Sequence, residues 1–306
     1  MIFCGDPHPA AHMPLPGYPR GGVGACTGDK KCSCTVNPLV TPPASRAEYN
    51  YTISWRWTYT RSNIFTPSPK MKLKLLTWDV KDTLLRLRLP VGQQYQAEAK
   101  SRGLQVDSAA LDSSFRQVYS NHWRLFPNYG LSQGMTSHRW WLDVVSQTFR
   151  LSGIQDEKIL QSLSERLYQD FCTDRYWEVL PGAREALKGC EELGLRMAVI
   201  SNFDRRLEDI LRHVDLDGHF DFVLTSESAG VAKPDLGIFH KALKLGAVSP
   251  QCAAHIGDDF VKDYKAAREA GMFSLLLQNR LRKDIPSDHV IQSLDQLIPR
   301  LREVME

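Results

Sequence analysis

From residue 71 onward the chain alternates between two hydrophobic periods. Short apolar runs stand at LKLLTW (73–78), LRMAVIS (195–201), DFVLTS (221–226), CAAHIG (252–257) and MFSLLLQ (272–278). Their length suits strands, and near-continuous apolarity suits strands buried on both faces. Between them, at 182–193, 204–213, 235–245, 260–270 and 293–304, apolar residues recur every three to four positions, as on amphipathic helices. Asp204 and Asp235 head two of these segments, where a carboxylate caps an N-terminus. Strands alternating with helices predict an α/β fold, a Rossmann-like parallel sheet covered on both faces.

One crossover breaks the rhythm. Residues 84–194 separate the first strand from the second. A single helix fills a crossover, so most of this span is surplus. The surplus reads as helices: YQAEAKSRG, SAALDSSFRQVYSNHW, SHRWWLDVVSQTFRLSG and EKILQSLSERLYQDFC. In the third, Trp141, Val144, Val145, Thr148 and Phe149 fall on one face, and Gly153 stands where a helix would stop. Residues 85–180 are therefore predicted to form a helical bundle inserted into a core made of 71–84 and 181–306. Open parallel sheets bind ligands at the carboxyl ends of their strands. An insert leaving the first strand at that end is placed to act as a lid.

Residues 1–70 carry no sustained period and hold ten of the 17 prolines. Proline removes backbone donors and fixes φ, so a disordered Pro-rich tail is expected. The alternating stretch YNYTISWRWTYTRSNIF (49–65) would make one strand, but a strand without a partner is unstable in water. This segment has seven Lys/Arg and three Asp/Glu, leaving a body with 31 basic and 32 acidic residues. So balanced a body offers no electrostatic reason to expect a nucleic-acid partner. No window is apolar enough to span a membrane, and the start lacks the basic and apolar regions of a secretory signal. Cys4, Cys26, Cys32 and Cys34 lie in the tail without zinc-like spacing, and Cys172, Cys190 and Cys252 read as small core residues. Such a set suits a reducing, intracellular compartment: the cytoplasm first, with mitochondrion and nucleus left open.

The carboxyl ends of the strands carry the candidate chemistry. The first offers Asp79, Lys81, Asp82 and Thr83, and the second Ser201 and Asn202. The loop after the third offers Lys233, and the fourth Asp258, Asp259 and Asp263. Singly, each is an ordinary turn, cap or surface residue. Together, Asp79 and Asp258 would meet with like charge at one edge, which calls for a cation such as Mg²⁺. Lys233 and Ser201 would then donate to an anionic group, and a phosphate meets all of these needs.

These four stations, LLTWDVKDT, VISN, Lys233 and HIGDDFVKD, resemble the four motifs of the haloacid dehalogenase-like hydrolase superfamily, and the insert is similar to its C1 cap. The resemblance covers 71–306. It implies a nucleophile at Asp79 that forms an aspartyl-phosphate. It implies Mg²⁺ held by Asp79, the backbone carbonyl of Lys81 and Asp258. Ser201, Asn202 and Lys233 would bind phosphate, with Lys233 also catalytic. Asp263 or Asp259 would hold Lys233 or a metal-bound water. The departure is Lys81, which occupies the slot of the acid/base Asp. Asp82, one residue on, is the candidate replacement. The implied function is a Mg²⁺-dependent phosphatase of a small phosphorylated metabolite, slowed by Lys81. A weakly active or inactive metal- and phosphate-binding regulator is the alternative. A metal-free carbon–halogen hydrolase fits the three carboxylates less well. Arg86, Arg88, Tyr129 and Trp140 are candidates, by type, for selecting the substrate.

Overall fold

The computed structural model describes residues 70–280 and 282–305. The expectations for the tail, its cysteines and the 49–65 strand lie outside these residues.

Among the described residues Leu75–Trp78 (β1) is the first strand, followed by Leu85–Leu87 (β2). Four helices follow: Val91–Ser101 (α1), Ser108–Leu125 (α2), Ser137–Leu151 (α3) and Glu157–Asp170 (α4). Trp177–Val179 (β3) returns antiparallel to β2, with Leu85 opposite Val179, so a two-stranded ribbon brackets the inserted helices. The chain then alternates: Ala183–Glu192 (α5), Arg196–Ser201 (β4), Arg206–His213 (α6), Phe222–Thr225 (β5), Ser226–Ala229 (α7) and Leu236–Gly246 (α8). Ala253–Gly257 (β6) leads into a π-helical turn, Phe260–Lys265, continued by Ala266–Glu269 (α9). Phe273–Leu277 (β7), Val290–Ile291 (β8) and Leu297–Val304 (α10) complete the order.

Among the described residues the main sheet has six strands in the order β5-β4-β1-β6-β7-β8, all parallel. Strand period 2 splits β1 between two apolar layers. Leu75 joins Ala198, Ile200, Ile238 and Phe239 on one face. Leu76 and Trp78 join Val199, Ile256, Leu187 and Leu297 on the other. In the register, Trp78 lies opposite both Val199 and Ile256, so β1, β4 and β6 bring their carboxyl ends to one line. That line is where the sequence sets its acidic and hydroxyl residues.

The β2–β3 ribbon and β8 were not visible in the periodicity, because two or three residues carry no period. The C-terminal helix begins at Leu297, after a 3₁₀ turn, where the pattern suggested 293. In α3 the buried face begins at Trp140, which is fully buried, with Val144, Val145, Thr148 and Phe149. Trp141 is only half-buried, a correction explained below. Cys190 is buried, whereas Cys172 and Cys252 are partly exposed, and all three are free thiols. Among the described residues no helix is long and apolar enough to cross a membrane.

Candidate active site

The site begins in the turn after β1. Asp79 anchors its backbone N–H on the Ile256 carbonyl (2.9 Å), continuing the β1–β6 pairing by one residue. The chain then folds back: Leu84 and Leu85 donate to the Val80 carbonyl, and Asp82 donates to Leu85. So tight a reversal puts Asp82 at φ +62°, a region that Asp tolerates better than most residues.

Asp79 is buried, and its Oδ1 accepts from Lys233 Nζ (2.8 Å) and Ser201 Oγ (3.1 Å). Thr83 Oγ1 stands 3.5 Å from Oδ2. The Lys233 ammonium also donates to the Ile200 carbonyl (2.9 Å) and to Asp263 Oδ1 (2.6 Å), so its three N–H bonds are all engaged. Burial works against this ammonium, but the Asp263 and Asp79 carboxylates outweigh it and hold its pKa above the ordinary lysine range. Burial likewise opposes ionisation of Asp263, yet Lys233 and His255 hold it well below the usual carboxylate range. Asp79 moves the other way. Burial pushes it up, against the pull of Lys233. Asp263 is thus the firm counter-ion of Lys233, and Asp79 is the carboxylate whose charge is poorly compensated.

The π-helical turn explains how Asp263 reaches this position. Asp263 and Tyr264 both donate backbone N–H bonds to the Asp259 carbonyl, a widened turn that tucks Asp263 under Gly257. A Cβ on Gly257 would lie 2.3 Å from Asp263 Cγ, so only glycine admits this approach. Asp263 Oδ2 accepts from the Asp259 N–H (3.0 Å). Asp259 itself caps the turn, accepting from Val261 and Lys262 (both 2.8 Å). Of the two alternatives left open by the sequence, Asp263 holds Lys233.

Asp79, Asp258 and Asp263 each offer an oxygen within 4.8 Å of the others. Asp258 is pushed up to about 8, by burial first and then by the charges of Asp79 and Asp263. An all-oxygen set crowded with like charge is what a hard divalent cation would relieve. Both Asp263 oxygens accept short hydrogen bonds, whereas Asp79 Oδ2 has only the 3.5 Å Thr83 contact, so Asp79 and Asp258 are the carboxylates better placed for an ion. Lys81 and Asp82 form an ion pair with each other and line the same cavity.

Asn202 has a positioning contact beside the role expected of it. Its Oδ1 accepts from the Lys233 N–H (2.7 Å) and its Nδ2 donates to the Lys233 carbonyl (2.8 Å). The amide clamps the lysine backbone and keeps one N–H for an anion. Two further residues escaped the sequence reading. His255, on β6, is fully buried, with Nε2 3.2 Å from Asp263 Oδ1 and Nδ1 2.8 Å from Thr77 Oγ1. Burial lowers its pKa, so the neutral ring donates to Asp263 and accepts from Thr77. Every second residue of a strand faces the same way, so the spacing from Thr77 and His255 to Asp79 and Gly257 was the available signal.

The cap closes over this edge. Asp204 was read as a helix cap. It does accept from the Arg206 N–H (3.0 Å), but its carboxylate mainly forms a buried bidentate pair with the Arg206 guanidinium (2.8 and 2.7 Å). Trp141 Nε1, from α3, donates to Asp204 Oδ2 (2.7 Å), and Arg206 lies over the rings of Trp141 and Tyr168. This explains why Trp141 turns away from the bundle interior. Removing one partner of such a pair strands the other charge, at a cost of about 3–5 kcal/mol. Arg206→Met should therefore lower the Tm by roughly 10 °C. A calorimetric scan showing a loss under about 3 °C would mean the pair contributes little.

Of the four substrate-selecting candidates, only Tyr129 lines the cavity. Arg86 pairs with Glu178 on the β2–β3 ribbon, Arg88 donates to the Asp174 carbonyl, and Trp140 is buried with Nε1 on the Phe126 carbonyl. Each of the three is held by contacts of its own away from the cavity.

Fold and site together define a family. The haloacid dehalogenase-like hydrolase model matches residues 73–271, and the chain belongs to that family. It is 63% identical over 240 residues to haloacid dehalogenase-like hydrolase domain-containing protein 3 of Xenopus laevis, covering 77% of this chain and 98% of that protein. Among solved structures, the 2-haloacid dehalogenase of Pseudomonas syringae pv. Tomato DC3000 superposes with a TM-score of 0.57 at 22% identity (75% of this chain, 98% of that one). A HAD phosphatase of Thermococcus onnurineus superposes with a TM-score of 0.51 at 19% identity (75% and 98%). At these identities the two structures speak for the fold.

Proposed function

We propose that the chain is a Mg²⁺-dependent phosphatase of small phosphorylated metabolites, working through an aspartyl-phosphate at Asp79. The observation that carries this is the convergence on Asp79 of an acidic oxygen cluster, a buried ammonium and a hydroxyl. The ion would be held by Asp79, Asp258 and the Lys81 backbone carbonyl. When bound, it offsets the repulsion between a carboxylate nucleophile and a phosphate.

The chain's own residues do the rest. An Asp79 oxygen attacks phosphorus and the ester P–O bond breaks. Ser201 and Lys233 now donate to Asp79 and transfer those hydrogen bonds to the phosphoryl oxygens. Lys233 has no idle donor, so the bond to Asp79 is the one it exchanges. The departing oxygen takes a proton from the Lys81–Asp82 ion pair, which lines the same cavity as Asp79. Water then returns a proton to the pair and attacks phosphorus. The acyl-phosphate bond breaks, phosphate leaves and Asp79 is regenerated. Asn202, His255 and Asp263 fix Lys233 throughout.

Lys81 favours a second reading, a binding protein that keeps the site and turns over poorly. Phosphate release measured against Mg²⁺ concentration separates the two: saturable release supports the phosphatase, and Mg²⁺ binding without release supports the binder.

Asp258 gives the Mg²⁺ reading a pH signature. Its folded pKa of about 8 lies above the ordinary 3.8, so without cation the folded protein holds more protons than the unfolded one between these values. The associated stability is present below pH 3.8 and is lost as pH rises through about 8. A bound cation needs Asp258 ionised and removes that loss. Mg²⁺ affinity should therefore rise about tenfold per pH unit up to that point, with proton release on binding. Calorimetry in buffers of different ionisation enthalpy measures this. Equal affinity at pH 6 and 8.5, or no change on Asp258→Asn, would remove Asp258 from the site.

A further inference from the structure

We infer that the cavity above Asp79 is a leaving-group subsite for a planar aromatic group without positive charge, so that the substrates are phosphate monoesters of aromatic-bearing alcohols. The inference rests on the phosphatase reading for its chemistry, but not for its binding geometry.

The cavity measures about 230 Å³ and is contiguous with Asp79, Asp258 and Lys233. The core contributes most of the charged groups together with Phe203, and the cap contributes most of the rings together with Arg116. Phe115, Tyr119 and Trp123 recur every fourth residue along α2, so they share one helix face, and all three line the cavity. Adjacent rings on this face stand 5.7 and 6.2 Å apart, and Tyr119 and Trp123 are stacked. Trp141 joins from α3, 6.0 Å from Tyr119. A helix stripe of this kind is usually core. Here Tyr119, Trp123 and Trp141 remain only half-buried, unlike Leu111 and Val118 on the same helix as the first two.

The fourth wall is delivered under strain. Asn128 and Tyr129 both take left-handed backbone conformations (φ +46° and +63°), and glycine at 130 continues them. Two consecutive non-glycine residues in this region need a structural reason. Asn128 Nδ2 reaches across to the Ser226 carbonyl of the core (2.9 Å). Tyr129 is thereby carried into the cavity wall, its ring 6.0 Å from Trp123 and nearly perpendicular to it.

The charge of the guest follows from Arg206. Aromatic walls also suit cations, but here a guanidinium already lies over Tyr168 at 4.3 Å and Trp141 at 5.0 Å. Asp204 neutralises it. A cationic leaving group would find those ring faces already occupied by a cation. A ring without positive charge avoids that conflict, and ring–ring contact rewards it beyond the apolar area buried.

The test must separate ring recognition from leaving-group chemistry. The probes are primary-alcohol derivatives of matched charge and basicity: 2-naphthylmethyl and n-butyl phosphonates for binding, and the corresponding phosphates for turnover. Calorimetry on the full chain with Mg²⁺ should give at least about tenfold tighter binding of naphthylmethylphosphonate than of butylphosphonate. Trp123→Leu should narrow that ratio to under about threefold, with thermal unfolding as the check on folding. Equal affinities in the unsubstituted protein would overturn the subsite whatever the variant does. A ratio unchanged by Trp123→Leu in a folded variant would also overturn it. Aromatic preference in binding with no ester hydrolysed supports the subsite and removes the phosphatase reading. Hydrolysis of both esters at equal kcat/KM removes the subsite and leaves the phosphatase reading standing.

Discussion

Asp79→Asn is expected to abolish phosphate release, with kcat falling on the order of 10⁴-fold or more, the scale seen when a nucleophile is removed. The amide matches the carboxylate in shape but cannot form the acyl-phosphate. The fold should not suffer. Asp263, not Asp79, is the firm counter-ion of Lys233, and burial already disfavours the Asp79 charge. The variant should therefore melt, without metal, at or above the Tm of the parent protein. Steady-state assays paired with calorimetry check both halves. Retained turnover contradicts the role of Asp79. Lost turnover with a fall of more than about 5 °C in Tm would instead point to damaged packing.

The second large effect concerns the slot two residues on. Asp82→Asn keeps a residue that tolerates φ +62° but removes the carboxylate from the Lys81–Asp82 pair. General acid–base assistance is typically worth about 10²–10⁴-fold, and kcat should fall by that amount. Lys81→Asp in the same background sets a carboxylate directly in the slot and should restore much of the loss. It removes a positive charge near the phosphate, so KM should rise as kcat recovers. Rapid-quench kinetics separate proton-dependent chemistry from binding. If Asp82→Asn leaves kcat unchanged while Asp79→Asn abolishes it, the pair is not the proton carrier.

Much of this site was legible because strand and helix periods locate strand ends, and strand ends converge. Asp79, Ser201 and Asp258 stand at such strand ends, whereas Lys233 lies in the loop beyond β5 and α7 and was singled out with the help of the family resemblance. The choice between Asp259 and Asp263 was not legible, because it depends on a π-helical turn that shifts the side chains by one position and on the absence of a Cβ at Gly257. The Lys233 clamp of Asn202 was hidden for a related reason. The amide suits an anion by type, but its partners are backbone groups of a residue 31 positions away. Asp204 looked like a cap, as a carboxylate before a helix should, and its burial against Arg206 and Trp141 depends on cap and core meeting. The aromatic face of α2 was readable at four-residue spacing, yet nothing in that spacing tells a packed stripe from a cavity wall.

The most direct test of the central claim is to trap the covalent intermediate. The full chain, turning over a phosphate ester with Mg²⁺, is quenched in acid, reduced with borohydride and digested, and the peptides are mapped by mass spectrometry. Reduction of an aspartyl-phosphate leaves homoserine, and the account predicts homoserine at position 79, absent when the ester is omitted. Turnover without that mark, or with the mark at another carboxylate, would contradict it.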